Sequence, residues 1–273
     1  SISFCEQSSL LQLNETINKD LLFKDYIWVT STSKSTLKYS ETFFKNVIEV
    51  CNLDYNDLIL EIASNDGAFL KTFNKNGFNN TLGIDPAINI AEIANNDGIK
   101  TLPKFWNTKT ASEINKSFGR AKLVFARNVI PHVSELKEVV QGIYDILDDD
   151  GFGVIEYHDA GTILKELHYD SIYHEHLCYF SLNSIKYLLD EFNLKPFHIE
   201  NSPISGGSKV IFFTKKFRNI TRNFHELVKH EIDTGVNTID AWKLFAKKCH
   251  LHKKETMDIL KISSSSKVIG FGS

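Results

Sequence analysis

The stretch LILEIASNDGAFLKTF, residues 58–73, decides the fold of this chain. Its first six residues form an apolar run of strand length, and its last six have the apolar spacing of a helix. The SNDG cluster between them, residues 64–67, is typical of a tight turn. A strand that passes through a short turn into a helix puts backbone N–H groups at the carboxyl edge of a sheet, where open α/β sheets bind their ligands.

The alternation of strand and helix continues along the chain. TLGID (81–85) is a second short strand and LVFA (123–126) is a later one. The helical stretch INIAEIANNDG ends at Gly98, as helix C-termini often do, and Ser134 can cap a helix with an apolar stripe. Another strand follows the DDDG turn at 148–151. These units predict an α/β domain with a parallel sheet and helices on both faces.

The remaining sequence divides the chain into three parts. Residues 1–40 are polar, end in the Ser/Thr/Lys-rich TSTSKSTLK, and are expected to form an irregular N-terminal arm. Residues 41–215 form the predicted α/β domain, which opens with a helix in ETFFKNVIEVCN and includes a helix in SLNSIKYLLDEF and a strand in KVIFFT. Residues 216–273 predict C-terminal helices and then a strand in KVIG.

Composition and charge exclude several classes of function. The 273 residues are 42% hydrophobic and carry a net charge of −3, which disfavours nucleic-acid binding because the surface has no excess of cations to neutralise phosphates. No apolar run reaches the roughly 18 to 20 residues of a membrane helix, and the first residues lack a signal-peptide pattern. The four cysteines lie far apart, so we expect a cytoplasmic protein. Nothing in the composition points to a particular oligomeric state.

The turn and the next strand together predict a site for a nucleotide-type ligand. Asp85 ends the second strand about 20 residues after the turn, where an acid can accept the hydroxyls of a ribose. A dinucleotide site has the pattern G-x-G-x-x-G, but Ala63 and Asn65 stand at its first two glycine positions, so we expect a smaller zwitterionic ligand. Asp66 can face a cationic centre of that ligand. In the alternative interpretation, SNDG is only a polar turn and Asp85 an exposed acid.

Two later pairs are candidates for the same site. Phe105 and Trp106 follow a short strand-like stretch, and either ring can lie against an adenine, although both are equally compatible with the core. Arg127 and Asn128 end the LVFA strand at the same edge of the sheet.

The segment YDSIYHEHLCYFSL, residues 169–182, has the composition of a catalytic loop. Its consecutive residues Tyr173, His174, Glu175 and His176, the YHEH segment, form a run that is too polar for a core strand and too aromatic for an ordinary surface loop. A histidine with a pKa near neutrality is a natural general base, and a tyrosine hydroxyl or a second imidazole can donate to a developing oxyanion. His132 is a candidate partner from the end of the LVFA strand. A metal pair or a structural role for the histidines is the alternative, and the spacing fits no known metal motif, so no metal is predicted.

Several motifs together resemble the nucleotide-sugar C-methyltransferases, which are S-adenosylmethionine (SAM)-dependent enzymes that act on keto-deoxysugars. The motifs are EIASNDGAFL, GIDPAINIAEIA, ARNVIPHV, DSIYHEHLCYFSL and ISGGSKV. The resemblance covers nearly the whole chain from about residue 5. It implies a Rossmann-like class I methyltransferase domain with a mostly parallel seven-stranded sheet, between an N-terminal zinc-binding module and a C-terminal Rossmann-like domain.

Both ends of the chain depart from this family pattern. The CxxC of the family's zinc module is replaced by Cys5-Glu-Gln-Ser8, and the preceding cysteine pair is absent, which argues against a zinc site. KVIGFGS, residues 267–273, is similar to the strand and glycine turn that open the family's C-terminal domain. We therefore expect that both ends are trimmed.

The resemblance also implies roles for particular residues. It makes His176 the base, with Tyr173, Glu175 and His132 in the same site. The predicted cofactor-binding residues are Glu61, Ala63, Asn65, Asp66, Gly67, Asp85, Pro86, Phe105 and Asn128. It also places Tyr26 or Trp28 near the sugar and Lys34 or Ser35 near a phosphate of the nucleotide.

The predicted function is C-methylation α to the ketone of a nucleotide-linked keto-deoxysugar, through an enolate. One alternative is a sugar O- or N-methyltransferase, in which the acceptor is already nucleophilic. Another is a non-catalytic module that binds a nucleotide sugar or SAM, which the unusual Ala63 and Ser8 would fit. A dehydrogenase is disfavoured by the missing glycines.

Overall fold

The computed structural model describes residues 1–204, 206–262 and 267–269. Within them the α-helices are α1 Lys19–Phe23, α2 Lys34–Val50, α3 Ala68–Lys75, α4 Ile88–Asn96, α5 Thr108–Phe118, α6 Leu136–Ile146, α7 Ala160–Glu166, α8 Leu182–Asp190, α9 Arg222–Thr234 and α10 Ile239–Ile262. The strands are β1 Ile2–Phe4, β2 Leu11–Leu13, β3 Ile59–Ile62, β4 Thr81–Ile84, β5 Thr101–Leu102, β6 Ala121–Arg127, β7 Leu147–His158, β8 Cys178–Tyr179, β9 Lys195–Ser202 and β10 Ser208–Thr214.

Seven strands form the central sheet in the order β5-β4-β3-β6-β7-β10-β9. The first five are parallel to their neighbours, while β10 is antiparallel to both β7 and β9. Ile62, at the end of β3, lies in register with Ile84 of β4 and Ala126 of β6, so the loops after these strands open at one edge. The predicted α/β fold with a mostly parallel seven-stranded sheet is confirmed.

Helices cover both faces of this sheet because its strands are apolar on both sides. Ile59 of β3 belongs to a cluster that contains Phe43 of α2 and Phe69 of α3. Leu60, one position further along the strand, belongs to the other large cluster, which draws its helical residues from α5, α6, α8 and α9. Since successive side chains of a strand point to opposite faces, the two clusters are the two layers of the core.

A small second sheet ties the N-terminal residues to the segment that follows YHEH. Its strands lie in the order β1-β2-β8, all antiparallel to their neighbours. The backbone of Leu177, just before β8, donates from its N–H to the carbonyl of Pro131 and accepts at its carbonyl from the N–H of Leu13. The loop after β6 and the YHEH segment are therefore joined at the carboxyl edge of the main sheet.

Three sequence predictions are wrong in detail. The TSTSKSTLK stretch is not irregular throughout, because Ser33 caps a helix that begins at Lys34, well before the predicted start at residue 41. The helix expected after Ser134 has Glu135 as its N-terminal flanking residue and no side-chain cap. The DDDG stretch belongs to β7, which begins at Leu147.

Other elements were missed or fall at the end of the chain. The sequence reasoning overlooked α5 and β9, and the predicted C-terminal helices are α9 and α10. Of the strand predicted in KVIG, residues 267–269 are not in a strand and the rest lies outside the described residues. The helix α2 runs across residue 40. The division of the chain into three parts stays a prediction.

A membrane-spanning helix must be both long and apolar. None of the helices within residues 1–204, 206–262 and 267–269 is long enough and apolar enough to cross a membrane.

Candidate active site

A cavity of about 460 Å³ opens at the carboxyl ends of β3, β4, β6 and β7. Its walls come from the loops after these strands, from residues 173–177, and from the N-terminal segment that crosses above the sheet edge. We call residues 24–31 of that segment the strap. Because the loops of an open α/β sheet form its ligand crevice, this cavity is the candidate active site.

The turn after β3 has an unusual backbone. Ala63, Asn65 and Gly67 have φ angles of 53°, 51° and 73°, all in the left-handed region that glycine tolerates best. A β-carbon on Gly67 would lie 2.6 Å from the Ile99 side chain, so glycine is required there by space as well as by conformation. Ala63 adopts the left-handed conformation at the position where dinucleotide-binding turns carry a glycine.

Asp85 lies at the end of β4 and lines the cavity. Its Oδ2 accepts the backbone N–H of Asn65 at 2.8 Å and its Oδ1 accepts that of Ala87 at 2.9 Å. Burial raises the pKa of this carboxyl, and the two backbone hydrogen bonds act in the opposite direction. Each oxygen keeps a further acceptor position, so the carboxylate can bind a diol.

The side chains of the turn hold the strap. Asn65 donates from Nδ2 to the carbonyl of Trp28 at 3.0 Å and accepts the N–H of Thr30 at 2.8 Å. Asp66 accepts the N–H of Ser31 at 3.0 Å. Asp66 is buried and does not line the cavity, so the turn uses these polar side chains largely to close the site from above.

A buried ion cluster lies beneath the turn. Arg127 contacts Glu156 through Nε at 3.1 Å and Glu61 through Nη1 at 3.8 Å, and its guanidinium lies over the ring of Phe69. The Oε2 atom of Glu61 is buried without a hydrogen-bond partner among the described residues, as is the hydroxyl of Ser64. Burial raises the pKa of Glu61 well above its usual value, which Arg127 opposes. A cationic ligand would favour the charged form of Glu61.

The two aromatic candidates have different surroundings. Trp106 is buried, and its indole N–H donates to the carbonyl of Val139 at 3.0 Å, which fixes it in the core although one edge lines the cavity. Phe105 lines the cavity half-buried, with the Lys19 ammonium 5.3 Å from its ring centroid. Of the two, Phe105 has the freer ring face for an adenine.

His176 occupies the other end of the cavity. Its Nδ1 lies 2.8 Å from the carbonyl oxygen of Ser171, which can only accept, so Nδ1 carries the proton. The Nε2 of the neutral ring is then an acceptor, and the hydroxyl of Tyr173 lies 3.4 Å from it. Burial lowers the pKa of His176, which keeps the ring neutral.

His132 packs against this ring from the loop after β6. The two imidazole centroids are 4.8 Å apart, and Nδ1 of His132 lies 3.0 Å from the backbone carbonyl of Glu175. Burial and the neighbouring His176 lower the pKa of His132 to about 4. Glu175 therefore orients His132 through its main chain, while its carboxylate lies 3.8 Å from the exposed His174.

The sequence reasoning missed His158. This residue ends β7, lines the cavity and is 9% exposed, and its Nε2 is buried without a partner among the described residues. Burial and the nearby His176 and His168 lower the pKa of His158 to about 4. Its place at the end of the VIEYH strand was the available signal, since β6 and β7 end at the same edge.

The structure brings most of the predicted site residues to one cavity. The predicted residues that line it are Glu61, Ala63, Asn65, Asp85, Pro86, Phe105, Asn128, His132, Tyr173, Glu175 and His176. Asp66 and Gly67 lie behind the turn instead. Tyr26 and Trp28 both line the cavity, whereas Lys34 and Ser35 do not and Thr36 does. The roles assigned to these residues stay predictions.

Within residues 1–204, 206–262 and 267–269, no group of three or more His, Cys, Asp or Glu side chains could hold a metal ion. Cys5 is exposed and is a free thiol.

Comparison with known proteins shows the family to which this chain belongs. A family model described as a methyltransferase domain matches residues 39–199, which is more than half of the chain. The chain belongs to this methyltransferase family. The match begins inside α2 and ends inside β9, so it includes most of the main sheet and all the loops that line the cavity after β3, β4, β6 and β7.

A relative and two solved structures are similar to this methyltransferase. The C-methyltransferase NovU of Streptomyces niveus is 28% identical over 272 residues, which are 98% of this chain and 64% of NovU. The chain thus spans less than two thirds of that relative's length. A protein of Pyrococcus horikoshii OT3 has a TM-score of 0.54 at 13% identity, over 69% of this chain and 95% of its own. Magnesium protoporphyrin IX methyltransferase (ChlM) of Synechocystis PCC 6803 was solved with bound S-adenosylhomocysteine (SAH). It has a TM-score of 0.51 at 11% identity, over 66% of this chain and 83% of its own. These similarities confirm the predicted class I methyltransferase fold.

Proposed function

We propose that this methyltransferase uses SAM to methylate the carbon α to the ketone of a nucleotide-linked keto-deoxysugar. The observation that carries the proposal is the state of His176, a neutral imidazole whose Nε2 is free to accept a proton. His176 lines the same cavity as Asp85, so a base and a ribose-binding acid share one enclosed space. A base that removes a proton from carbon is needed for C-methylation.

The cofactor end of the cavity fits SAM. Asp85 offers two carboxylate oxygens for the ribose hydroxyls, and Phe105 offers a ring face for the adenine. The unpartnered Oε2 of Glu61 suits a cationic amine. When bound, SAM supplies an electrophilic methyl group on a sulfonium, and the sulfur leaves with the electron pair of the broken S–C bond.

The residues at the acceptor end suit enolate formation. His176 takes the α-proton on Nε2, and the electron pair of the C–H bond becomes the enolate double bond while the carbonyl oxygen gains negative charge. The Nδ1–H of the ring keeps its hydrogen bond to the carbonyl oxygen of Ser171, which stabilises the imidazolium that forms. Proton transfer by a positioned imidazole contributes about 10² to 10⁴ in rate.

Tyr173 is the better donor to the enolate oxygen. Burial and the neighbouring Glu175 raise the pKa of Tyr173, so the phenol keeps its proton and can donate it. Its 3.4 Å contact with His176 is long for an O–H···N hydrogen bond, so the hydroxyl can turn to the acceptor at little cost. His132 donates from Nδ1 to Glu175 and is neutral, which leaves its Nε2 an acceptor. It therefore fits the oxyanion less well than Tyr173.

The acceptor class rests on the sequence motifs and on the name of a relative. The YHEH segment and ISGGSKV resemble enzymes that act on nucleotide-linked keto-deoxysugars, and NovU is a C-methyltransferase. The strap, with Tyr26 and Trp28, supplies an aromatic wall against which a sugar can pack.

The test uses SAM labelled with carbon-13 in its methyl group and a panel of keto-deoxysugars linked to the common nucleoside diphosphates. Long-range proton–carbon correlations in the NMR spectrum of the product locate the new methyl group. We expect it on the carbon next to the ketone. A methyl group on oxygen or nitrogen would replace this proposal with a different transfer reaction.

The base is tested by exchange of the acceptor's α-proton with deuterated solvent in the presence of SAH. We expect His176→Ala to slow this exchange by at least about a hundredfold. His174→Ala is the matched control, because His174 is exposed and does not line the cavity. Equal exchange rates in the two variants would refute the assignment of His176.

A further inference from the structure

The strap is attached to the first turn of α4 through residues that the proposed chemistry does not use. The side chain of Asn89, in the first turn of α4, forms hydrogen bonds with both the N–H and the carbonyl of Tyr26. Its Nδ2 donates to the carbonyl of Tyr26 at 2.9 Å, and its Oδ1 accepts the N–H of Tyr26 at 3.3 Å. The N–H of Ile88 donates to the carbonyl of Lys24 at 3.3 Å. The side-chain amide of Asn89 thus binds both backbone polar groups of Tyr26.

Tyr26 is part of the cavity wall. Its side chain is half-buried and lines the cavity. Burial raises the pKa of Tyr26, and the charges of Glu175 and Asp85 raise it further. The phenol therefore keeps its proton, and it can donate a hydrogen bond to a ligand in the cavity.

We propose that Asn89 is a positioning residue, which sets the affinity for the acceptor by holding Tyr26 over the cavity. The inference rests on the proposed function and deepens it, because it assigns part of acceptor binding to a residue outside the cavity wall. Asn89 does not line the cavity. Its effect must therefore pass through the strap.

The residues around Asn89 suit a local role. An amide that makes two hydrogen bonds to one peptide fixes that peptide in place, and each such bond is modest by itself. Asn65 and Asp66 hold the strap further along, at Trp28, Thr30 and Ser31. Loss of Asn89 should therefore loosen Tyr26 and weaken the attachment at Lys24, which keeps its hydrogen bond to Ile88, while the later part of the strap stays attached.

The first measurement separates KM from kcat. We expect Asn89→Ala to raise the KM for the keto-deoxysugar about fivefold to tenfold, with kcat and the Kd for SAH changed by less than about twofold. Asn89→Gln keeps both hydrogen-bonding groups and should recover most of the loss. Asn96→Ala is the matched control, because Asn96 is exposed on the same helix and its side chain bonds to none of the described residues. An unchanged KM in Asn89→Ala, or a fall in kcat alone, would overturn the inference.

The second measurement needs no acceptor and keeps this inference separate from the proposed function. Trypsin cleaves after Lys19 and Lys24, which lie just before Tyr26 in the chain, and mass spectrometry identifies the cut. We expect cleavage there to be about fivefold faster in Asn89→Ala than in Asn96→Ala, at an equal urea midpoint. Equal cleavage rates would refute the positioning role. If the wild-type protein methylated no keto-deoxysugar but cleavage still rose, the proposed function would fail and the attachment of the strap by Asn89 would stand.

Discussion

The two ends of the cavity differ in the titratable groups that they bury. The cofactor end holds the buried carboxyls Asp85 and Glu61, and burial raises the pKa of both, so a cation there would favour their charged forms. The acceptor end holds His132, His158 and His176, and burial lowers the pKa of all three, which keeps each imidazole neutral. The cofactor end therefore suits a positively charged ligand, and the acceptor end suits the acceptance of a proton.

The largest expected effect separates these two ends. Asp85→Ala removes the carboxylate that we assign to the ribose, and hydrogen bonds to charged groups contribute about 1.5–3 kcal/mol. We therefore expect the Kd for SAH, measured by calorimetry, to rise about tenfold to a hundredfold. His176→Ala should leave the same Kd within about twofold, because this ring belongs to the acceptor end.

Asp85 also holds the turn through Asn65 and Ala87, so a second variant is required. Asp85→Asn keeps one accepting oxygen and so one of the two backbone hydrogen bonds, and we expect it to lose less SAH affinity and less melting temperature than Asp85→Ala. If His176→Ala weakened SAH binding as much as Asp85→Ala does, the two ends of the cavity would not bind their ligands separately.

The next effect follows from the neutral histidines. The pKa of His132 is about 4 in the folded protein and about 6.5 in the unfolded chain, so below pH 6.5 the unfolded state binds more protons. The free energy of unfolding therefore falls as the pH drops from about 6.5 towards 4, and it is fully retained above 6.5. For His132 alone we expect a loss of about 2 kcal/mol by pH 4.5, measured by urea unfolding across this range.

His158 has the same folded pKa of about 4 and acts in the same direction. The control is therefore His132→Phe, which removes one titrating group and should flatten part of the acid loss without removing it. A free energy of unfolding that stays level from pH 7 to 4.5 would show that these rings are not buried in their neutral forms.

The same contrast explains how much the sequence could predict. The cofactor end follows from local pattern, because β3, the SNDG turn and Asp85 lie within 30 residues and their spacing indicates their contacts. The acceptor end depends on contacts distant in sequence, such as Leu177 with Pro131. So does the strap, which Asn65 holds at Thr30. Composition marked the YHEH segment as unusual, but no periodicity could show that the side chains of the turn hold the strap.

The early start of α2 and the strand β9 were missed for different reasons. The start of α2 depends on Ser33 as a cap, in a stretch whose many Ser and Thr residues also suit a loop. The strand β9 has a bulge in its pairing with β10 and contains Pro196, which weakens the alternation that predicts a strand. Tertiary pairing therefore decides β9, whereas a local cap decides where α2 begins.

The smallest expected effect concerns the cofactor end alone. Ala63 has φ 53° in the turn after β3, a conformation that costs a residue with a β-carbon about 1 kcal/mol or more. Ala63→Gly removes that cost but adds about 0.4–1 kcal/mol of entropy to the unfolded chain. We therefore expect the free energy of unfolding to rise by less than about 1 kcal/mol, with the Kd for SAH unchanged within about twofold. A loss of more than about 1 kcal/mol would mean that the Ala63 methyl group packs as part of the cavity wall, so that the cofactor end, too, depends on more than its local backbone.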